Sequence, residues 1–402
     1  MTVADENPAR STGGAEKKRV LVVGAGIAGL AAALRLSRDG WEVVVVERAP
    51  ARRSSGYLVN LHGPGYDAAE RLGVVPALKP RDIGFFTSIM VHADGREKFR
   101  LPAAVAEAAV GTRALSIFRG DLESVLYEAL DGHADIRFGT TVRQVAQHAD
   151  GVDATLSDGT RMTAELLIGA DGGHSGIREL VFGPEADYLV DLGHMVGAFP
   201  LDTVPGHVPE GAGTTYIGPG RTAAVMNLGP RRSSAFFTYR CADSAAESAS
   251  GPATALTRAF GDLGGGVADA LGQLETDPAG AYFDSVAQVV MDRWSTGRIV
   301  LLGDAAWCVT VFAGYGAALA LDGADRLGAA LAAGDDIPAA LTTWEAAMRP
   351  EAEKRQALAR RGMGRFAPST RAQVWAGELM LRAIQLPGLR GLVQRSIQRA
   401  NN

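Results

Sequence analysis

A chain of 402 residues, 47% of them hydrophobic and 21% charged, is too long for one ordinary core and has the composition of two joined globular domains. Its net charge of -5 and pI near 5.9 argue against a nucleic-acid surface, which needs a concentrated positive field, and favour a small-molecule substrate. Cys241 and Cys308 lie far apart without CxxC or histidine spacing, which indicates neither a disulfide framework nor a zinc site and suits a reducing cytoplasm.

Residues 1–17 are polar and small and read as a loose tail. Lys17-Lys18-Arg19 followed by the apolar run Val20–Leu34 imitates a signal peptide, but the regular glycines and the strand beyond them mark a nucleotide-binding unit instead. That unit is a buried strand Val20–Val23, a glycine turn, a helix through Leu36, a turn at Asp39-Gly40 and a second buried strand Trp41–Val46. Ile83–Leu101 reads as two extended segments around Ala93-Asp94-Gly95, and a helix follows over Gly120–Leu130. Alternating segments from Ile136 to Leu156 turn at Ser157-Asp158-Gly159 and end in a strand Glu165–Ile168.

Between 185 and 285, short alternating runs (Met195–Leu201, Ala223–Leu228, Ala235–Arg240) predict a separate antiparallel sheet with one helix near Ala253–Phe260. A buried strand Ile299–Leu302 then leads to a third glycine turn and to long helices. The surplus of eight positive charges over Arg349 to Arg399 reads as a solvated helix face. The expected class is α/β, with a discontinuous nucleotide domain and an inserted sheet.

The chemistry sits at the glycine turns. Gly24-Ala25-Gly26-Ile27-Ala28-Gly29 is a GxGxxG placed between a strand and a helix. Its first glycine permits the turn, the second admits a pyrophosphate to the helix N-terminus, and the third lets the helix lie close on the strand. Glu47, with Arg48 beside it, ends the next strand 23 residues after Gly24 and is placed for ribose hydroxyls. This motif serves FAD and NAD alike. Ile168-Gly169-Ala170-Asp171-Gly172-Gly173-His174-Ser175-Gly176-Ile177-Arg178 and Leu302-Gly303-Asp304-Ala305-Ala306 each add an aspartate after an apolar strand.

With those three segments in that order, the chain resembles the class A flavoprotein monooxygenases typified by para-hydroxybenzoate hydroxylase. The resemblance implies a Rossmann-like FAD-binding domain over 18–80, 104–184 and 286–345, a substrate domain over 81–103 and 185–285, and C-terminal bridging helices over 346–402 without a thioredoxin-like extension. It assigns Asp304, with Gly303, to a ribityl hydroxyl of FAD, and Gly316 and Ala317 to a helix start facing the flavin ring. Arg119 would reach FAD, and Asp171 and Arg178 would serve FAD and nicotinamide docking, with His174 incidental. The segments from Ser55-Gly56-Tyr57 to Leu72-Gly73 and Phe312–Gly316 look most like the tetracycline-degrading and antibiotic-tailoring branch.

Three positions depart from the family pattern: Trp307 for a histidine, Val311 for a proline beside the flavin, and Ala318 for an asparagine. Trp307 reads as a packing residue or one wall of an aromatic pocket. Candidate substrate contacts are Tyr57, Asn60, Phe312 and, from the inserted sheet, Met226, Phe237 and Tyr239, whose period-two spacing equally suits that domain's core. His62 also follows the second strand, and no catalytic base or metal site stands out.

The implied activity is oxygenation of an aromatic or polycyclic natural product with NADPH or NADH and O2, through a flavin hydroperoxide, in a cytoplasmic monomer or weak dimer. An FAD oxidoreductase that inserts no oxygen, and a flavin-binding partner without turnover, remain as alternatives.

Overall fold

The computed structural model describes residues 17–52, 57–110, 113–229 and 232–385. The expected N-terminal tail up to residue 16, the Ser55-Gly56 pair and the chain beyond 385 lie outside the described residues.

Continuous apolar runs make the first sheet. It has six strands in the order Ser295–Thr296, Ile299–Leu301, Leu166–Gly169, Arg19–Val23, Glu42–Glu47 and Ala134–Phe138. All neighbours are parallel except the first pair. Val20–Val23 and Val43–Val46 are buried, as strands covered on both faces must be. The parallel register sets the C-terminal ends of Arg19–Val23, Leu166–Gly169 and Ile299–Leu301 side by side, so three turns distant in sequence meet at one edge.

Helix Gly316–Ala332 is tied into this frame by charge and by backbone contact. Its Asp325 takes Arg35 of helix Ile27–Arg38 at 2.6 Å and Arg71 of helix Pro64–Arg71 at 2.5 Å. Gly65 of the latter helix lies so near that a Cβ there would collide with Ala318. The departure at Ala318 is therefore a helix–helix contact that demands small residues.

The second sheet has seven strands, in the order Tyr282–Val289, Leu189–Leu201, Ser233–Arg240, Arg221–Asn227, Ala212–Gly218, Thr87–Val91 and Glu97–Leu101. The hairpin read over 83–101 is Thr87–Val91 with Glu97–Leu101, joined to this sheet by a parallel pairing with Ala212–Gly218. Alternation gives the sheet two faces. One carries Phe199, Phe237 and Tyr239 against helices Pro252–Phe260 and Gly266–Thr276, and the other turns toward the glycine turns. Three helices, including Ser244–Ser250, stand where the sequence predicts one. The Ser/Ala-rich and Gly-rich segments around them read as loops by composition, and packing against the sheet overrides that preference.

Trp294, Trp307 and Trp344 form one buried aromatic cluster with ring centroids 4.7 to 6.1 Å apart. Trp307 is thus a packing residue, not a pocket wall. Helix Ile337–Phe366, capped by Asp336, carries Trp344, whose indole donates to Gly323 O at 2.9 Å. The basic C-terminal stretch is more than a solvated face: Arg349 pairs with Glu345 at 2.5 Å and Arg355, only 3% exposed, pairs with Glu351. Further on, helix Arg371–Ala383 reaches the second sheet through Lys98–Glu378 at 2.5 Å. No helix among the described residues is long and apolar enough to cross a membrane.

Trp344→Ala removes one of the three rings of the aromatic cluster and one buried hydrogen bond. The expected loss is about 3–5 kcal/mol, read as a lower urea midpoint; a midpoint within error of wild type would show that the cluster contributes little.

Candidate active site

The three turns interlock through missing side chains. Gly24 takes φ +106°, its amide donates to Val46 O at 2.8 Å, and a Cβ there would collide with the Ala170 carbonyl. A Cβ on Gly29 would run into the Gly24 carbonyl, and one on Gly303 would lie 2.8 Å from the Ala28 methyl. Gly26 differs, because a Cβ there would meet no backbone, only the ends of two side chains at ordinary contact distance, the Arg119 guanidinium at 3.6 Å and the Glu123 carboxylate at 3.9 Å. A polar group approaching the start of helix Ile27–Arg38 would therefore meet free backbone on one side and a charged pair on the other.

A cavity of about 260 Å³ opens at this point. Gly26, Ile27, Ala28, Arg119, Asp304, Gly316 and Ala317 line it, together with Tyr57 and Asn60. Its far wall comes from the second sheet, with Val196, Phe236, Tyr282 and Val286, and from the loop Cys308, Thr310 and Val311. A larger groove of about 1270 Å³ lies against Arg19, Trp41, Arg137 and Met162, but none of the three glycine turns reaches it. The smaller cavity is the candidate site.

Other predicted residues stand behind or away from the cavity. Gly24, Gly29 and Gly303 are its scaffold. Glu47 sits back from the wall and accepts the amides of Ala25 at 2.9 Å and Ala49 at 2.7 Å, which braces the glycine turn. Arg48 is exposed. Asp171 commits its carboxylate to Ser175 and to the Ile177 amide at 3.1 Å. Arg178 is fully buried and donates to Ala305 O at 3.1 Å and Gly173 O at 2.6 Å, pinning the second turn to the third. Its guanidinium is thereby committed to the turns themselves.

Phe237 and Tyr239 point into the sheet's own core, at 5.0 and 5.9 Å from the Phe260 ring, and the Tyr239 hydroxyl donates to Glu247. Met226 shares the face of Phe236 but lies beyond the cavity wall, near Phe86 and Gly213. Phe312 stacks on Phe366 at 4.8 Å in a small apolar cluster, also off the wall. The sequence missed Phe236 because period two does not say which face looks inward. It missed Tyr282 too, whose one signal is an aromatic at the start of the strand before the third glycine segment.

Electrostatics follow from depth. Asp304 is enclosed by protein yet keeps open surface, because that surface is cavity wall; burial raises its pKa, and Arg119 and the Cys308 thiol oppose the rise. Burial likewise pushes Tyr57 to about 12 against the pull of Arg119, so its hydroxyl stays protonated. The Cys308 thiol is driven well upward by burial and then by Asp304, which makes it a poor nucleophile. Glu123, 2.8 Å from Arg119, is raised by burial while the arginine draws it back.

A dinucleotide-type cradle walled by a second, apolar sheet defines a cofactor-dependent oxidoreductase class. Residues 17–356 match the FAD binding domain family, and the chain belongs to that family of flavoprotein oxidoreductases. It is 33% identical over 354 residues to an uncharacterized protein of Mycobacterium tuberculosis (strain ATCC 25618 / H37Rv), covering 85% of this chain and 92% of that one. It is 31% identical to the FAD-dependent monooxygenase asL6 of Sarocladium schorii, over 87% of this chain and 88% of that protein. The crystal structure of tetracycline destructase Tet(51) superposes with a TM-score of 0.80 at 25% identity, covering 96% of this chain and 98% of the other.

His174, 3.1 Å from Glu185 and 3.4 Å from Asp284 of the second sheet, clasps the two sheets beside the cavity. Its hydrogen bond to Asp284 leads the rise of its pKa from 6.5 to about 9, against desolvation and with help from Glu185. The clasp should therefore contribute fully below pH 6.5 and fade as pH rises through about 9. His174→Gln should flatten that decline in Tm, by a small amount because the ring is half exposed; an identical pH profile would remove the clasp from the account.

Proposed function

We propose that the protein is an FAD-dependent monooxygenase that uses NADPH or NADH and O2 to oxygenate an aromatic or polycyclic natural product. The observation that carries the reading is the single cavity with three glycine turns on one side and an apolar sheet face on the other. The relatives point the same way, one named a FAD-dependent monooxygenase and one a tetracycline destructase.

The residues fit the cofactor. Gly26, which lines the cavity at the N-terminus of the 12-residue helix Ile27–Arg38 with no backbone crowding it, suits a pyrophosphate, with Arg119 facing it. Asp304, on the cavity wall, suits a ribityl hydroxyl, and Glu47, which braces the turn through the Ala25 and Ala49 amides, would reach the adenosine ribose only with the lone pairs those amides leave. The start of the 17-residue helix Gly316–Ala332 borders the cavity, where its dipole favours negative charge on a reduced ring. When bound, FAD supplies electron transfer from the nicotinamide and activation of O2.

The chain's own residues orient and enclose. Val196, Phe236 and Val286 hold the apolar body of the substrate and exclude water, which strengthens every polar contact inside. The Tyr57 hydroxyl, protonated throughout the physiological range, donates a hydrogen bond. Asn60, held by Ser116 at 2.8 Å, presents its amide. The nicotinamide cofactor visits transiently, since one cradle is taken by FAD.

Purified protein should be yellow. Asp304→Ala is expected to weaken FAD by about tenfold or more, ~1.4 kcal/mol, and Gly26→Leu to fill the cradle and abolish binding while the fold persists by circular dichroism. Full FAD occupancy in both variants would defeat the assignment. With NADPH, isotopically labelled O2 and an aromatic substrate panel, mass spectrometry should find one labelled oxygen in product; oxidised product without label would assign an oxidoreductase that inserts no oxygen.

A further inference from the structure

The loop from Asp304 to Gly316 contains the one non-glycine residue with φ between +20° and +160° among the described residues, Thr310, at φ +76° and ψ 157°. Only glycine occupies that region freely, and a β-branched residue persists there where its surroundings over-determine it. Thr310 and Val311 both line the cavity, so the strain sits in its wall.

What over-determines Thr310 comes largely from outside the loop. Gln356, on helix Ile337–Phe366, aims its side-chain amide at the carbonyls of Val289 at 2.7 Å, Trp307 at 3.3 Å and Cys308 at 3.3 Å. Gln288, on strand Tyr282–Val289, donates to Val309 O at 3.5 Å and to Gln356 O at 3.0 Å, while its side-chain oxygen accepts from Arg360. The carbonyls of the three residues before Thr310 are thus all engaged. On the other side, the Phe312 amide donates to Thr310 Oγ1 at 3.2 Å, and the Arg355 guanidinium lies 3.5 Å over the Tyr315 ring.

Gln288 and Gln356 are 0% and 6% exposed, in a region where a buried amide is costly unless bonded. Relaxing the loop would strip the Trp307, Cys308 and Val309 carbonyls of these amide donors and leave Gln356 with Val289 O and Gln288 with Gln356 O as their remaining acceptors. The cost of breaking the network therefore opposes release of the strain.

We propose that Gln288 and Gln356 are positioning residues, whose amides hold the Trp307–Val309 backbone so that the strained Thr310 turn keeps one shape as a wall of the cofactor cavity. Neither side chain lines the cavity, so both act through the loop. The inference rests on the FAD reading only for what the wall faces.

The test is a double-mutant cycle on the holoprotein. Gln356→Met keeps the side-chain length without the amide, and Thr310→Gly removes the strain. If the clamp holds the strain, Gln356→Met lets the loop relax. Thr310→Gly should then shift Tm more favourably in the wild-type background than in Gln356→Met, by about 2 °C or more. Gln356→Met should also perturb the visible absorption of bound FAD, which a remote packing role would leave alone. Additive Tm shifts, or an unchanged flavin spectrum, overturn the proposal, and Gln288→Met repeats the cycle if Gln356→Met does not fold. Wild-type protein without FAD would instead defeat the functional reading, and the cycle run on the ligand-free chain would still decide the clamp.

Discussion

The arrangement depends on backbone meeting backbone at Gly24 and Ala170. No side chain fits between the first turn and the second, and the parallel register of Val23 with Gly169 brings them to the same height. Once these turns touch, Gly303 packs on Ala28 and draws the third turn against the first helix, and Arg178 ties the second turn to Ala305. The cavity is what remains where the interlocked turns leave Gly26 uncovered. A single Cβ at Gly24 or Gly29 would pry the edge apart before any ligand contact was reached.

The first sheet was legible because its strands are uninterrupted apolar runs and its turns are glycines at fixed spacing. Val20–Val23 and Trp41–Val46 fall within one residue of the strands Arg19–Val23 and Glu42–Glu47. The second sheet was legible in type and less so in detail. Its alternating runs announced strands, yet nothing in Phe236-Phe237-Thr238-Tyr239 states which pair looks inward, since that depends on helices some twenty residues downstream. Thr310 carried no signal at all, as a positive φ at a β-branched residue is imposed by tertiary contacts that no local pattern records. Likewise, Asp171 and Arg178 stand in a motif that suggests ligand contact, but their side chains are consumed by the turn itself.

Charge in the site is arranged by depth more than by number. Arg119 faces Glu123, Tyr57 and Asp304, and its field lowers the cost of keeping the two carboxylates ionised inside the protein. Tyr57 and Cys308 stay protonated in the same surroundings, so the wall offers donors near the turns and apolar surface toward the sheet.

The route of the chain has an evolutionary corollary. The seven-stranded sheet draws Thr87–Val91 and Glu97–Leu101 from between the early pieces of the six-stranded sheet, and the rest of its strands from 189–289. Neither sheet is a contiguous stretch of gene, so neither can be exchanged whole by recombination at two points. The stretch 189–289 carries Val196, Phe236, Tyr282 and Val286 of the cavity wall, so a replacement of that wall as one block must still match the seam that Ala212–Gly218 forms with Thr87–Val91.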